Sequence, residues 1–586
     1  MNGKYGYTSE RNIQIVLALL KAHGIRKVIA SPGATNISIV ASMQQDSYFE
    51  MYSCVDERSA GYMACGLAAE SGEPVVLSCT GATSSRNYMP ALTEAFYRKL
   101  PIVAITSSQP NERIGHLSAQ CTNRIVLPKD VALTSVQVPS LVTELDVWDR
   151  TIKVNKALLE LKHHGGGPVH INLATTYSRD FSVKELPATR LIERITLQDR
   201  FPELPSNARI AVFIGSHRQW KKEEEEVLDA FCAANDAVAF CDHTSGYKGR
   251  YRVLFALVAG QKSYRSSLCN VDVLIHIGEV SGDYYTLGIK AKQVWRVSED
   301  GEIRDTFRTL RYVFEMPERD FFLRYAQGGG YESGYLQACR EEYDAVFQKI
   351  PELPFSNIWM ARQLSRALPE NSVLHLGILN TLRSWNFFEI PRSVLSYCNV
   401  GGFGIDGDMS SLVGASLAHP DKLYFGMLGD LAFFYDMNVL GNHHVGRNVR
   451  ILLVNNGRGT EFRNYDHPGS AFGEDADKFI AAAGHYGNKS PLLIRHYAED
   501  LGFEYLTASN KEEFAEMSKR FVTPEMTDRP MLFEVFTDSE EESKALNGMH
   551  HILIDTHIQM ENKIKEGMKG ILGEGGIKAV KRILGK

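Results

Sequence analysis

Short apolar runs alternate with helix-like segments along almost the whole chain, and this restricts the fold more than any other property. Over residues 8–180 the order reads helix, strand at 28–31, helix, strand at 51–55, helix, strand at 75–79, helix, strand at 102–107, with a later strand at 169–173. A similar alternation occupies the middle, with strands at 210–214, 237–240, 273–277 and 293–297, and returns from about residue 357 to about 536. A strand followed by a helix and another strand pairs in parallel, because the crossover returns the chain to the same end of the sheet. The expected class is therefore α/β, with three consecutive doubly wound parallel-sheet domains at residues 1–181, 206–345 and 355–545 and a basic tail at 546–586. The charged, proline-bearing stretch 182–205 reads as a linker. In such sheets ligands sit beyond the carboxyl ends of the strands.

At 586 residues the chain exceeds what one hydrophobic core supports. Hydrophobic content of 44% and charged content of 23% are those of an ordinary globular protein. A net charge of −6 gives no electrostatic case for nucleic acid. The nine cysteines form no CxxC pair, which fits reduced thiols, and neither a signal core nor a spanning apolar run is present. A cytoplasmic location is expected. The tail after Lys563 mixes basic and apolar residues, but Gly567, Gly570 and Gly573 weaken a helix there. Peripheral membrane contact and docking on the protein's own oligomer both remain open for it.

Two strand ends carry the most specific chemistry. Gly429-Asp430 follows the apolar run 423–428, and the run 449–454 delivers Asn455-Asn456 into a glycine-rich turn. A carboxylate and a side-chain amide are hard oxygen ligands, suited to magnesium that is shared with a phosphate. Glycines let backbone approach a diphosphate closely. In the first domain Glu57 stands where a strand-like run gives way to a helix rich in small residues.

These segments resemble the GDG…NN signature of thiamine-diphosphate (ThDP) enzymes, with Leu431 at the third position of GDG. The resemblance implies Mg²⁺ held by Asp430, Asn456 and the carbonyl of Arg458, and a ThDP-enzyme fold for the three domains. The segments SPGATN (31–36), DERSAGYMACGLA (56–68) and SCTGATSSRNYMPALTEA (78–95) are similar to the pyrimidine-binding domain of these enzymes. That likeness makes Glu57 the acid that protonates the aminopyrimidine, best placed in an apolar cleft that raises its pKa. It also puts Gly33, Thr80, Gly81, Thr83 and Asn87 beside the cofactor. NVGGFGIDGDMSS (399–411) resembles an NRGxxGIDG loop, which makes Gly404 a cofactor neighbour and Ile405 the wedge that bends it. Gln120 matches a glutamine facing the reacting carbonyl. His116 is either a proton shuttle or a surface-loop histidine. Glu461 falls where related decarboxylases place an acid.

The greatest likeness is to the menaquinone-pathway synthase that joins 2-oxoglutarate to isochorismate, with acetolactate synthase more distant. Arg383 matches one of the synthase's carboxylate-binding arginines. Two others are missing, for Thr35 replaces the arginine of SPGSR and Val400 that of NRG. Neither side chain reproduces a bidentate guanidinium contact, which argues against a pair of multiply carboxylated substrates. The expected activity is that of a ThDP- and Mg²⁺-dependent 2-oxo acid decarboxylating carboligase transferring to a carbonyl acceptor. A simple decarboxylase, a hydrolase of a cyclic diketone and a silent regulatory subunit remain as alternatives. The family builds its sites between chains, which implies a homodimer or homotetramer. VFIGSHRQW (212–220) is not a dinucleotide fingerprint, so FAD is not expected.

Overall fold

The computed structural model describes residues 5–327, 334–484 and 490–555. Of the expected tail, residues 546–550 complete the helix Ser539–His550 and 556–586 lie outside the described residues. Contacts divide them into two compact units, one running to Phe201 with Asp300–Glu315 added, the other comprising Pro202–Glu299 and the chain from Met316.

In the first unit β1 (Lys27–Ala30), β2 (Glu50–Ser53), β3 (Val75–Thr80), β4 (Ile102–Ser108), β5 (Ser135–Val138) and β6 (Val169–Ala174) form a parallel sheet in the order β2-β1-β3-β4-β6-β5. Both faces are covered. Val28, Val76, Val103 and Ile105 enter one core cluster, whereas Ile29, Val75, Leu77 and Ala104 enter another. Successive residues point to opposite faces, so a sheet covered on both sides needs unbroken apolar runs, which is what made these strands readable. The short β7 (Glu193–Ile195) lies inside the stretch expected to be a linker. It pairs in parallel with β13 (Leu310–Glu315) of the same unit, so 182–205 is partly ordered sheet.

The second unit begins with β8 (Ile210–Ile214), β9 (Val238–Cys241), β10 (Arg252–Val253), β11 (Asn270–Ile277) and β12 (Lys290–Ser298), ordered β10-β9-β8-β11-β12. Where β8 and β11 end, the two glycine turns are bonded to each other. Gly215 N donates to Ile277 O at 3.0 Å and Glu279 N to Ser216 O at 2.7 Å. A Cβ on Gly278 would stand 2.9 Å from Gly215 O, so backbone packing accounts for these glycines.

The same unit continues with β14 (Val373–Leu376), β15 (Leu395–Tyr397), β16 (Tyr424–Gly429), β17 (Val449–Asn455), β18 (Glu504–Ala508) and β19 (Met531–Phe536). Their order, β15-β14-β16-β17-β19-β18, repeats that of the first sheet strand for strand. Each of the two sheets therefore has a switch point between its first and third strands, where neighbouring crossovers leave in opposite directions and a crevice opens. Among the described residues no helix is long and apolar enough to cross a membrane. All nine cysteines are free.

Candidate active site

In the second unit the crevice beyond β14 and β16 is a cavity of about 460 Å³, within the range of roughly 300–1,000 Å³ usual for small-ligand sites. Gly404, Ile405, Gly429, Asp430, Leu431 and Asn456 line it, as do Arg458 and Glu461. Residues singled out from widely separated segments thus meet around one space. Asp430 is buried; its Oδ1 accepts from Leu431 N at 2.8 Å and its Oδ2 from Gly457 N at 2.5 Å. One carboxylate ties the turn after β16 to the turn after β17. Asn455 faces the other way, donating to Glu534 Oε1 at 2.7 Å, while the side-chain oxygen of Asn456 is buried with no protein partner. A Cβ on Gly429 would meet nothing within 4 Å, so the backbone there borders open space. An orphaned amide oxygen, a carboxylate and an open glycine turn are a donor set that fits a small divalent cation and a diphosphate. Ile405 is half-buried and packs on the core beside Leu428 and Phe433.

Arg383 and Glu461 form a pair that sequence reasoning did not foresee. Arg383 Nη1 donates to Glu461 Oε2 at 2.9 Å and Nη2 donates to Oε1 at 2.7 Å, a fork-to-fork contact. The side chains are only 11% and 18% exposed, so the pair is poorly screened. Asn380 Oδ1 accepts from the same Nη1 at 3.1 Å, and Asn464 donates to Glu461 Oε2 at 3.3 Å. Burial works against the guanidinium charge, but Glu461 more than offsets it and the arginine's pKa is raised. Arg383, the candidate substrate-carboxylate anchor with an ion-paired arginine as its alternative, is held by a carboxylate of its own chain. Thr35 and Val400 are likewise spent on internal contacts. Thr35 Oγ1 donates to Ser107 O at 2.5 Å, and Val400 is 2% exposed.

Glu542 escaped the sequence reading, because its SEEES run looks like a solvated helix start. It lines the cavity yet is buried, accepting from Asn357 N at 3.0 Å and from Thr537 Oγ1 at 2.8 Å. Burial pushes its carboxyl up to about 7.

The crevice of the first unit is tightly fitted. A Cβ on Gly33 would collide with Thr80 Oγ1, and one on Gly81 would stand 2.8 Å from both Ser107 O and Arg124 Cζ. Asn36 Oδ1, Thr80 Oγ1 and Ser107 Oγ are buried there without protein hydrogen-bond partners. Gly81→Ala should therefore cost about 1–3 kcal/mol by overpacking. Gly66→Ala, in an exposed helical position with open space around it, should stabilise by roughly 0.5–1 kcal/mol. Thermal unfolding of the two variants checks this, and equal melting temperatures would contradict it.

Glu57 opens the helix Glu57–Ser71, whose N-cap Asp56 accepts from Ser59 N at 3.0 Å. Asn87 Nδ2 donates to Glu57 Oε2 at 3.1 Å. Burial pushes the Glu57 carboxyl up, but bonds from Ser84 and Asn87 outweigh it and hold the pKa below the usual glutamate value. The expected upward shift is absent, and among the described residues the surroundings of Glu57 are open. Beside it Val55 is 76% exposed, and Tyr62 and Met63 are also exposed. Thr83, His116 and Gln120 are exposed as well, Gln120 with a left-handed φ of 61°.

Known proteins match this chain over most of its length. The model of the thiamine pyrophosphate enzyme, N-terminal TPP binding domain, matches residues 12–126. A 2-succinyl-5-enolpyruvyl-6-hydroxy-3-cyclohexene-1-carboxylate synthase of Bacteroides thetaiotaomicron is 32% identical over 572 residues, covering 93% of this chain and 99% of the relative. The chain belongs to this synthase family. A synthase of the same name from Phocaeicola vulgatus is 33% identical over 559 residues, with 93% and 99% covered, and one from Porphyromonas gingivalis is 27% identical over 584, with 92% and 96% covered. Membership in the synthase family makes the chain a thiamine-diphosphate enzyme. The matched N-terminal segment carries Gly33, Glu57, Gly81, Asn87 and Gln120.

Proposed function

We propose that this member of the synthase family is a Mg²⁺-dependent 2-oxo acid decarboxylating carboligase whose substrates are held differently from a pair of multiply carboxylated acids. The observation that carries the reading is the closed Arg383–Glu461 fork, together with the internal commitments of Thr35 and Val400. With Nη1 and Nη2 both directed at Glu461, the end-on fork of this arginine reaches a substrate carboxylate only by giving up Glu461.

Asp430, Asn456 and the carbonyl of Arg458 would hold Mg²⁺, with Gly429, Leu431 and Gly404 bordering the diphosphate and Ile405 shaping the cofactor. Gly33, Thr80, Gly81, Thr83 and Asn87 would border the pyrimidine. The cofactor supplies a nucleophilic carbon and an electron sink for loss of carbon dioxide. With the cofactor bound, Glu57 would hold a proton toward the aminopyrimidine, and Gln120 and His116 would face the substrate carbonyl. The exposed Val55, Tyr62 and Met63 around Glu57 suit burial by a second copy, as a homodimer or homotetramer requires. Such burial would supply an apolar wall beside Glu57. The location is cytoplasmic.

Product analysis with an aldehyde acceptor tests the reaction type. A hydroxyketone that appears only with the acceptor supports it; aldehyde alone under every condition contradicts it. Glu461→Gln tests the substrate reading, since it frees Arg383 while keeping a hydrogen-bonding side chain. The Michaelis constant for a 2-oxo acid with a second carboxylate should fall about tenfold, about 1.4 kcal/mol. The melting temperature should drop and be recovered by a dicarboxylate, because an unpaired buried guanidinium is costly. Unchanged constants would remove Arg383 from the pocket.

A further inference from the structure

Away from the cofactor residues, the first unit gathers two histidines and a glutamate. His163 and His164 open the short turn His163–Gly165 after the helix Glu144–Glu160, and Glu315 ends β13. His163 Nε2 lies 3.1 Å from Glu315 Oε2, and His164 Nε2 lies 3.1 Å from Glu315 Oε1. One ligand atom from each residue falls within 4.8 Å of the others. Tetrahedral zinc with bonds of about 2.0–2.2 Å holds its ligand atoms roughly 3.3 Å apart, close to these separations.

The hydrogen bonding explains why these atoms face each other. His163 Nδ1 lies 2.9 Å from Glu160 Oε2, a contact that turns the ring's other nitrogen, Nε2, toward Glu315. That Nε2 is buried and has no hydrogen-bond partner, although Glu315 is adjacent. A cation held between Nε2 and Glu315 would give both atoms a partner. A carboxylate on the far nitrogen is also how metal-bound imidazoles are oriented. Arg194 reaches Glu160 at 3.0 Å and Glu315 at 3.6 Å, so the two acids and one arginine leave a net negative charge for the cation.

The backbone is bent to produce this arrangement. His164 sits at φ 48°, ψ 44°, left-handed for a non-glycine residue, and the two imidazoles stack with centroids 3.7 Å apart. Left-handed strain of roughly 1–3 kcal/mol is held where neighbouring structure or a ligand requires it. Two imidazoles and one carboxylate suit zinc, nickel or copper and offer too few oxygens for magnesium or calcium.

We propose that His163, His164 and Glu315 bind a transition-metal dication, zinc foremost, which pins the turn after the helix Glu144–Glu160 to β13. The test is titration of full-length protein with Zn²⁺ by calorimetry, after chelation and reloading with ThDP and Mg²⁺. One site per chain is expected in wild type. His164→Asn should abolish it, since asparagine tolerates the left-handed backbone and keeps the fold. Glu315→Gln should weaken binding at least 100-fold, and Glu160→Gln roughly 10–100-fold. Co²⁺ should show tetrahedral visible absorption in wild type and lose it in His164→Asn. No Zn²⁺ binding by wild type, or the same affinity and stoichiometry in His164→Asn, would overturn the proposal.

Discussion

Glu57→Gln is expected to retain the cofactor at near wild-type affinity while turnover falls roughly 10²–10⁴-fold, the range that a positioned acid–base group contributes. Glutamine keeps the acceptor oxygen that Asn87 Nδ2 addresses at 3.1 Å, so the helix start and its neighbours stay in place. What it loses is the exchangeable proton. Calorimetric cofactor binding alongside steady-state turnover separates the two effects. Turnover within a few-fold of wild type would remove Glu57 from proton transfer, whereas loss of binding would make its role structural.

Asp430→Ala should have an effect of comparable size on a different quantity. Its carboxylate ties the turn after β16 to Gly457 N, and it stands beside the orphaned oxygen of Asn456. Removing it takes away the charged member of the proposed metal set and loosens the turn that presents Asn456. Mg²⁺-dependent cofactor affinity should fall at least about 100-fold, equivalent to about 2.7 kcal/mol. The first unit's crevice is untouched, so the effect should be confined to the metal and diphosphate half. Cofactor affinity that stays at wild type and still depends on Mg²⁺ would remove Asp430 from the metal set.

The long strands were legible because sheets covered on both faces demand unbroken apolar runs. β8 was read at its full extent, residues 210–214. Asp430 and Asn456 were singled out because oxygen-bearing residues stood at strand ends, and both line the same cavity. The short strands were not: Ser135–Val138 is a four-residue edge strand containing Ser and Gln, and Glu193–Ile195 has three residues inside a charged stretch. Tertiary pairing supplied what local pattern lacked. The Arg383–Glu461 fork joins residues 78 apart, and each was singled out without the other. His164 and Glu315 are 151 apart, and nothing local ties them. Glu542 reads as surface because its neighbours are acidic, yet the fold buries it against Asn357 N. Glu57 shows a different limit, since among the described residues its hydrogen bonds outweigh burial and hold its pKa down.

The most direct test is carbon dioxide release from a panel of 2-oxo acids by the wild-type protein with ThDP and Mg²⁺, comparing acids with and without a second carboxylate. The account predicts release from at least one acid lacking the second carboxylate, and weaker use of 2-oxoglutarate until Glu461 is replaced by glutamine. Efficient release from 2-oxoglutarate by the unmodified protein, with no gain in Glu461→Gln, would contradict it.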